Sequence, residues 1–291
     1  MKSFYPDTLA EALRIRFDES AIPYAGGTDL MAARRRGMGL LPDFRRPVLF
    51  VGHLRECRGI SRRNNHLTIG AATTLSEVWE DQRVPDLLRQ AMAMMASPAV
   101  RNLGTLGGNI CHASPAGDAL PPLHVLDATV TLAGAEGKRD LNLAEFILGP
   151  GRTDLHDDEI LTTINIPDSA FTSTWYRKVA PRRSSALAKV SLAAQAVVRD
   201  GVLNDLRLAA GAVAPTVVRS RQVEEMLIGH TATEVHGLLP EILGKYDGLL
   251  APIDDQRSTA AYRRKVTLRL IRYFLTRRAW TSDDKIPDGK G

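Results

Sequence analysis

The chain has 291 residues, 44% hydrophobic, 24% charged and 5% aromatic, an ordinary globular composition that excludes disorder, collagen-like repeats and disulfide miniproteins. Lys and Arg number 38 against 33 Asp and Glu, and a net charge of only +5 is too weak to imply a nucleic-acid partner. Its two cysteines, Cys57 and Cys111, build neither a disulfide framework nor a four-thiolate metal site.

In chain order, Thr8, Leu9, Ala10 and Glu11 read as a capping box opening an amphipathic helix to about Arg16, with Leu9, Ala12, Leu13 and Ile15 as its apolar stripe. A short strand over 21–24 enters the turn Ala25-Gly26-Gly27-Thr28-Asp29, and a helix follows over 30–36 with Asp29 at its N-terminal end. Apolar runs at 48–51 and 67–70 suit buried strands, and Thr74 to Glu77 repeats the capping-box pattern. A helix over 84–95 stops at Ser97-Pro98, and 102–118 reads as a long Gly/Pro/Ser-rich loop. Loops of that length inside compact domains are usually functional. Strands over 129–133 and 160–166 close this part, and Pro167-Asp168-Ser169 marks a break.

Past the break the pattern turns antiparallel, with strands over 174–180, 188–199 and 202–213, the last two joined at Asp200-Gly201. Helices are expected over 222–227, 231–243 and 258–278, the last burying Val266, Leu270, Ile271, Phe274 and Leu275. The boundary therefore falls near residue 170. No internal repeat or low-complexity segment is present. Neither a secretory leader nor a run of the roughly 18 apolar residues of a membrane span is seen, and a cytoplasmic protein is expected.

Two double-glycine turns carry the chemistry: Gly26-Gly27 and Gly107-Gly108, each flanked by small hydroxyl residues. A diphosphate needs several backbone N–H donors converging at short range, and glycine lets the chain approach closely and adopt positive φ. Two such loops suit one diphosphate gripped from two sides; the alternative for each alone is a tight turn without ligand. Neither fits the Rossmann or P-loop spacing, which leaves a different dinucleotide fold.

Ala25-Gly26-Gly27-Thr28-Asp29-Leu30, then Arg101 through Ile110, running into Ala113-Ser114-Pro115-Ala116-Gly117-Asp118, resemble the FAD-binding medium subunit of the molybdenum hydroxylases, the xanthine dehydrogenase and carbon monoxide dehydrogenase family. Asp158-Glu159-Ile160-Leu161, Tyr176-Arg177-Lys178 with Arg182-Arg183-Ser184, and Ala212 to Thr216 extend the likeness over nearly the whole chain. The resemblance implies an α+β chain with a two-subdomain FAD-binding fold of the molybdopterin dehydrogenase type over 1–170, its subdomains at about 1–55 and 56–170. A C-terminal domain over 171–291 would hold a three-stranded antiparallel sheet with a helical bundle. It further implies that Ile22, Pro23, Tyr24, Ala25, Gly26, Gly27, Thr28 and Asp29 line the diphosphate and adenosine side of FAD. Gly104, Thr105, Gly107, Gly108 and Asn109 form a second cradle. His112, Ser114 and Asp118 contact the diphosphate, ribityl or ribose, Leu161 lies against the cofactor, and Lys178 reaches it.

Several of these keep a second reading. Asp118 suits the N-cap of a helix beginning at Ala119 as well as a ribose or ribityl contact. Lys178 is either a solvated lysine or a cation favouring the reduced flavin anion. His112 replaces the small or amide residue common in relatives and is either satisfied by neighbours or bonded to phosphate or ribityl. No ligand cluster gives it a metal role. Cys57 and Cys111 read as packing. The basic runs Arg34-Arg35-Arg36 and Arg182-Arg183 and the cations of the last helix are solvated faces, or they steer NAD(H) or dock an acidic partner.

The family resemblance implies a flavin electron-transfer subunit with no catalytic acid, base, nucleophile or metal ligand of its own. Electrons would come from iron–sulfur clusters on a small subunit, fed by molybdopterin on a large one, and pass to NAD or another acceptor in a dimer of heterotrimers. Two rivals stand beside it. A self-contained FAD-dependent reductase, akin to UDP-N-acetylenolpyruvoylglucosamine reductase, would need its own proton donor and sugar-nucleotide site. The other is a non-catalytic nucleotide-binding assembly protein.

Overall fold

The computed structural model describes residues 2–63, 65–182 and 185–281. Arg183 and Ser184 of the basic motif fall outside them. Two compact units interleave along the chain: the first takes 1–84, 96–114 and 127–168, the second 85–95, 115–126 and everything from 169 on. The helices Asp86–Ala93 and Leu120–Val125 thus belong to the second unit although they interrupt the first in sequence.

The first unit opens with the helix Leu9–Glu19, N-capped by the Thr8 hydroxyl, which accepts from the Glu11 N–H at 3.2 Å. The expected box is half formed, because the Glu11 carboxylate takes the N–H of Asp7 instead. At the other end of the helix the buried Arg16 donates to the carbonyls of Ala21, Glu159 and His156 at 2.6, 3.2 and 3.3 Å. Three strands, Ser3–Phe4, Val48–Phe50 and Ile22–Tyr24, pair in parallel in that spatial order. Leu9, Ala12, Leu49, Val51, Leu54 and Cys57 fill the core beneath them.

A second sheet in this unit has five antiparallel strands in the order Ile60–Arg63, His66–Gly70, Ile160–Pro167, Thr129–Gly134 and Gly137–Asn142. Its two outer strands were not expected. They are edge strands whose side chains, Ser61-Arg62-Arg63 and Lys138-Arg139-Asp140 among them, lack the apolar alternation that marks a strand in sequence. The Thr74–Glu77 capping box forms in full at the start of the helix Leu75–Glu80.

In the second unit, the strands Ser173–Val179, Val190–Arg199 and Val202–Gly211 form one antiparallel sheet. Asp200 and Gly201 turn the hairpin with φ of 52° and 75°, the positive pair that an Asp-Gly hairpin loop requires. One face, with Leu192, Ala194, Leu206 and Leu208, packs against the helices Ala232–Leu249 and Ala260–Tyr273. The other face carries Ser191, Ala193, Ala209 and Gly211 beside the larger Tyr176 and Lys178, and packs against Asp86–Ala93 and Leu120–Val125. A Cβ on Gly211 would come within 2.8 Å of the Pro121 ring, so this helix lies as close as the sheet allows. The last helix is α-helical to Tyr273 and continues as a π-helical turn over Phe274–Arg278, burying Ile271, Phe274 and Leu275.

Candidate functional site

Two glycine loops of the first unit meet. The strand Ile22–Tyr24 runs into Gly26 and Gly27, and the next helix, Thr28–Arg34, starts before the expected 30–36 and includes Thr28 and Asp29. Gly27 sits at φ +69°, the left-handed region that glycine enters without penalty. Gly26 is needed for another reason: a Cβ there would lie 1.9 Å from the Leu103 carbonyl oxygen, so the second loop's backbone rests on it.

Along this first loop the backbone N–H groups of Ala25, Gly26, Gly27, Thr28, Asp29 and Leu30 donate to no group among the described residues. The half-buried Thr28 hydroxyl is equally free. Six consecutive amides without a partner among the described residues, on a largely half-buried segment, offer a run of donors of the kind that binds phosphate oxygens.

The second loop differs from its sequence reading. The expected loop over 102–118 contains the helix Leu106–His112, N-capped by Thr105, whose hydroxyl accepts from Gly108 N–H at 3.1 Å. Gly104 N–H donates to Val100, Leu106 to Thr73, Gly107 to Ala71 and Asn109 to Thr105, at 2.7 to 3.0 Å. These amides are consumed by the fold. Neither Gly107 nor Gly108 has positive φ, and a Cβ on Gly107 would lie 2.6 Å from that of Ala71. Glycine is there to let the helix touch the 71–73 segment. The helix was hidden in sequence because glycine is a poor helix former, a weak prior that capping and packing override.

One group in this loop is left open. Asn109 is buried, and its Oδ1 has no hydrogen-bond partner among the described residues. Such an acceptor costs about 1–3 kcal/mol unless a donor arrives. His112 ends the helix exposed, Ser114 is half-buried just beyond it, and Leu161 is buried in the central strand of the antiparallel sheet. Burial pushes the Cys111 thiol up to about 12 and that of Cys57 up to about 11, so both stay protonated and inert near neutral pH.

Asp118 and Lys178 belong to the second unit and meet each other there. Lys178 Nζ lies 2.6 Å from Asp118 Oδ2 and also donates to the Met94 carbonyl at 3.1 Å. The Tyr176 hydroxyl donates to Asp118 Oδ1 at 2.9 Å, and the Tyr176 N–H is held by Gln90 Oε1. All three ionisable side chains are buried. Burial pushes the Asp118 carboxyl up, and the Lys178 cation and the Tyr176 hydroxyl offset part of that rise. Asp118 does not cap the following helix: Leu120–Val125 is capped at Ala119 without any side-chain bond. Nor is Lys178 a solvated lysine. Tyr176 was not singled out from the sequence as a candidate, yet Tyr176 and Lys178 lie two apart on a strand and share one face, a period that would have flagged it.

A family model described as the FAD binding domain in molybdopterin dehydrogenase matches residues 1–169, and one for the CO dehydrogenase flavoprotein C-terminal domain matches 175–278. The chain belongs to the FAD-binding medium subunits of the molybdopterin dehydrogenases. It is 32% identical over 266 residues to the glyceraldehyde dehydrogenase medium chain of Sulfolobus acidocaldarius, covering 89% of this chain and 92% of that one. It is also 32% identical over 225 residues to the xanthine dehydrogenase FAD-binding subunit of Escherichia coli O157:H7, covering 75% and 76%. In fold it matches a chain of carbon monoxide dehydrogenase from Hydrogenophaga pseudoflava with a TM-score of 0.86 at 24% identity, over 97% of this chain and 96% of that one. The α+β fold with its three-stranded antiparallel C-terminal sheet is that of the medium subunits. Among the described residues no helix is long and apolar enough to cross a membrane.

The residues fit FAD. A dianionic diphosphate matches the free amides of the first loop, Gly26 and Gly27 allow the close approach of Leu103 and Tyr24 that shapes that loop, and the orphaned Asn109 oxygen offers a buried acceptor.

Proposed function

We propose that this medium subunit carries electrons between partner subunits and an acceptor, with FAD held by the glycine loops of the 1–170 part. The unpaired amides of Ala25 to Leu30 carry the proposal. In this reading they and the Thr28 hydroxyl bind the diphosphate, while Ile22, Pro23 and Tyr24 flank the adenosine side. Gly104, Thr105, Gly107 and Gly108 act as the buttress that fixes the first loop, and Asn109 accepts a hydrogen bond from the cofactor. His112, Ser114, Leu161, Asp118 and Lys178 complete the contacts. Lys178 enters already paired with Asp118, so it brings a fixed dipole rather than a free cation, a preorganised field that requires no rearrangement when charge appears.

When bound, FAD supplies the redox chemistry, accepting electrons and returning a pair. The partners proposed to feed it are a small iron–sulfur subunit and a large molybdenum subunit, assembled as a dimer of heterotrimers, with NAD or another carrier as acceptor. The protein's own part is placement, shielding and electrostatics.

The test is a purified chain reconstituted with FAD. It is expected to show flavin absorption, to oxidise no purine, aldehyde, N-heteroaromatic compound or CO alone, and to be reduced only with its partners present. Turnover by the lone chain overturns the reading.

A further inference from the structure

In the second unit the helices Ala232–Leu249 and Ala260–Tyr273 pack side by side, and a groove of about 540 Å³ runs between them. Its floor is apolar, from the buried Leu243 and half-buried Leu268, and Lys265, Arg269 and Arg272 line its wall. These cations stand at i, i+4 and i+7, on one helix face and spread over about 10 Å of axis. All three are exposed, and among the described residues none uses its side chain in an ion pair or hydrogen bond. The carboxylate of the groove, Asp247, is already held by Arg264 at 2.7 Å. Among the described residues the wall therefore keeps its positive charge uncompensated.

The facing helix adds an independent observation. Gly237, Gly244 and Gly248 fall on one face of Ala232–Leu249, and a Cβ at any of them would meet nothing within 4 Å. Glycine inside a helix is costly relative to alanine, and here neither crowding nor positive φ within the chain requires it. A backbone approaching from outside would.

We propose that this groove docks an acidic segment of a partner subunit, whose carboxylates pair with Lys265, Arg269 and Arg272 and whose backbone passes close over Gly244. The inference rests on reading the chain as one subunit of a larger oxidoreductase. A second copy of the same face is disfavoured because two cationic walls repel. Binding to an anionic lipid surface, which the same cations and the exposed Tyr262 and Tyr273 beside them would also attract, is the competing outcome of the test below.

Holoenzyme purified through a tag on this chain and treated with a carbodiimide, which condenses an amine with a touching carboxylate and releases the urea, tests the proposal. Expected are an amide between Lys265 and an Asp or Glu of a partner subunit, and protection of Lys265 from acetic anhydride in the holoenzyme but not in the isolated chain. Arg269→Glu with Arg272→Glu is expected to weaken assembly at least tenfold, with the larger loss at low salt. Gly244→Leu is expected to raise the Tm of the isolated chain while weakening assembly, a split that misfolding does not produce. An unprotected Lys265 in the holoenzyme, a link to a second copy of this chain, charge-dependent sedimentation with phosphatidylserine vesicles in place of assembly, or charge-reversed chain that assembles as tightly as the parent overturns the proposal. Flavin content reports separately on the FAD reading, because the groove lies outside the glycine loops.

Discussion

The two glycine loops of the first unit look alike in sequence and do different work. Around Gly26-Gly27 the amides are unpaired and one glycine is held at positive φ. Around Gly107-Gly108 the amides are spent on Val100, Thr73, Ala71 and Thr105, and φ is ordinary. The first leaves its donors free for the diphosphate proposed above; the second is packed against the 71–73 segment. They are coupled because the Leu103 carbonyl lies where a Gly26 side chain would be. A double glycine is thus no evidence of a phosphate site until its N–H groups are accounted for.

The largest effect is expected for Gly27→Val. It places a branched side chain at φ +69°, a strain of about 1–3 kcal/mol, and crowds Tyr24. FAD retention is expected to vanish in a desalted preparation. Retention equal to the parent would break the assignment of the first loop to the diphosphate.

Gly107→Val is expected to act through the fold. Overpacking against Ala71 costs about 1–3 kcal/mol, so Tm falls even without FAD, and whatever folded protein remains still binds FAD. Loss of FAD with an unchanged apo Tm would show that the second loop also touches the cofactor directly.

Asn109→Leu separates the two roles at one residue. It removes a buried acceptor that has no partner among the described residues, so apo stability is expected to hold or rise while FAD binding weakens about tenfold, the worth of one hydrogen bond of about 1.4 kcal/mol. A calorimetric titration beside an apo melt reads both.

Thr105→Ala removes the cap on Leu106–His112 and is expected to cost about 1 kcal/mol in urea unfolding, with FAD affinity following stability alone. The smallest signal concerns the thiols. With Cys111 raised to about 12, only roughly one thiolate in ten thousand is present at pH 8. Iodoacetamide labelling of the folded chain is therefore expected to be far slower than after unfolding.

Much of this was legible beforehand, where the signal was local. The Thr74–Glu77 box and the Asp200-Gly201 hairpin depend on residues within one or two turns of each other and formed as expected, and of the stripe on the last helix Ile271, Phe274 and Leu275 are buried while Val266 and Leu270 are half-buried. The helix Leu106–His112 was missed because its stability comes from the Thr105 cap and from contact with 71–73, which outweigh its two glycines. The edge strands Ile60–Arg63 and Gly137–Asn142 were missed because pairing, not side-chain burial, makes them strands. The capping reading of Asp118 failed for a non-local reason: a tyrosine and a lysine some sixty positions later claim its carboxylate, |i−j| being 58 and 60.

By itself the sequence determined the family and picked out both double glycines as positions where a side chain is not tolerated. Those properties are written in residue identity and short spacing. Only the tertiary structure decided which glycine loop has free donors, that Lys178 is neutralised before any ligand arrives, and that 85–95 and 115–126 leave the first unit for the second. Each of those depends on which distant backbone or side chain satisfies a hydrogen bond or a charge, and sequence spacing carries no record of that choice.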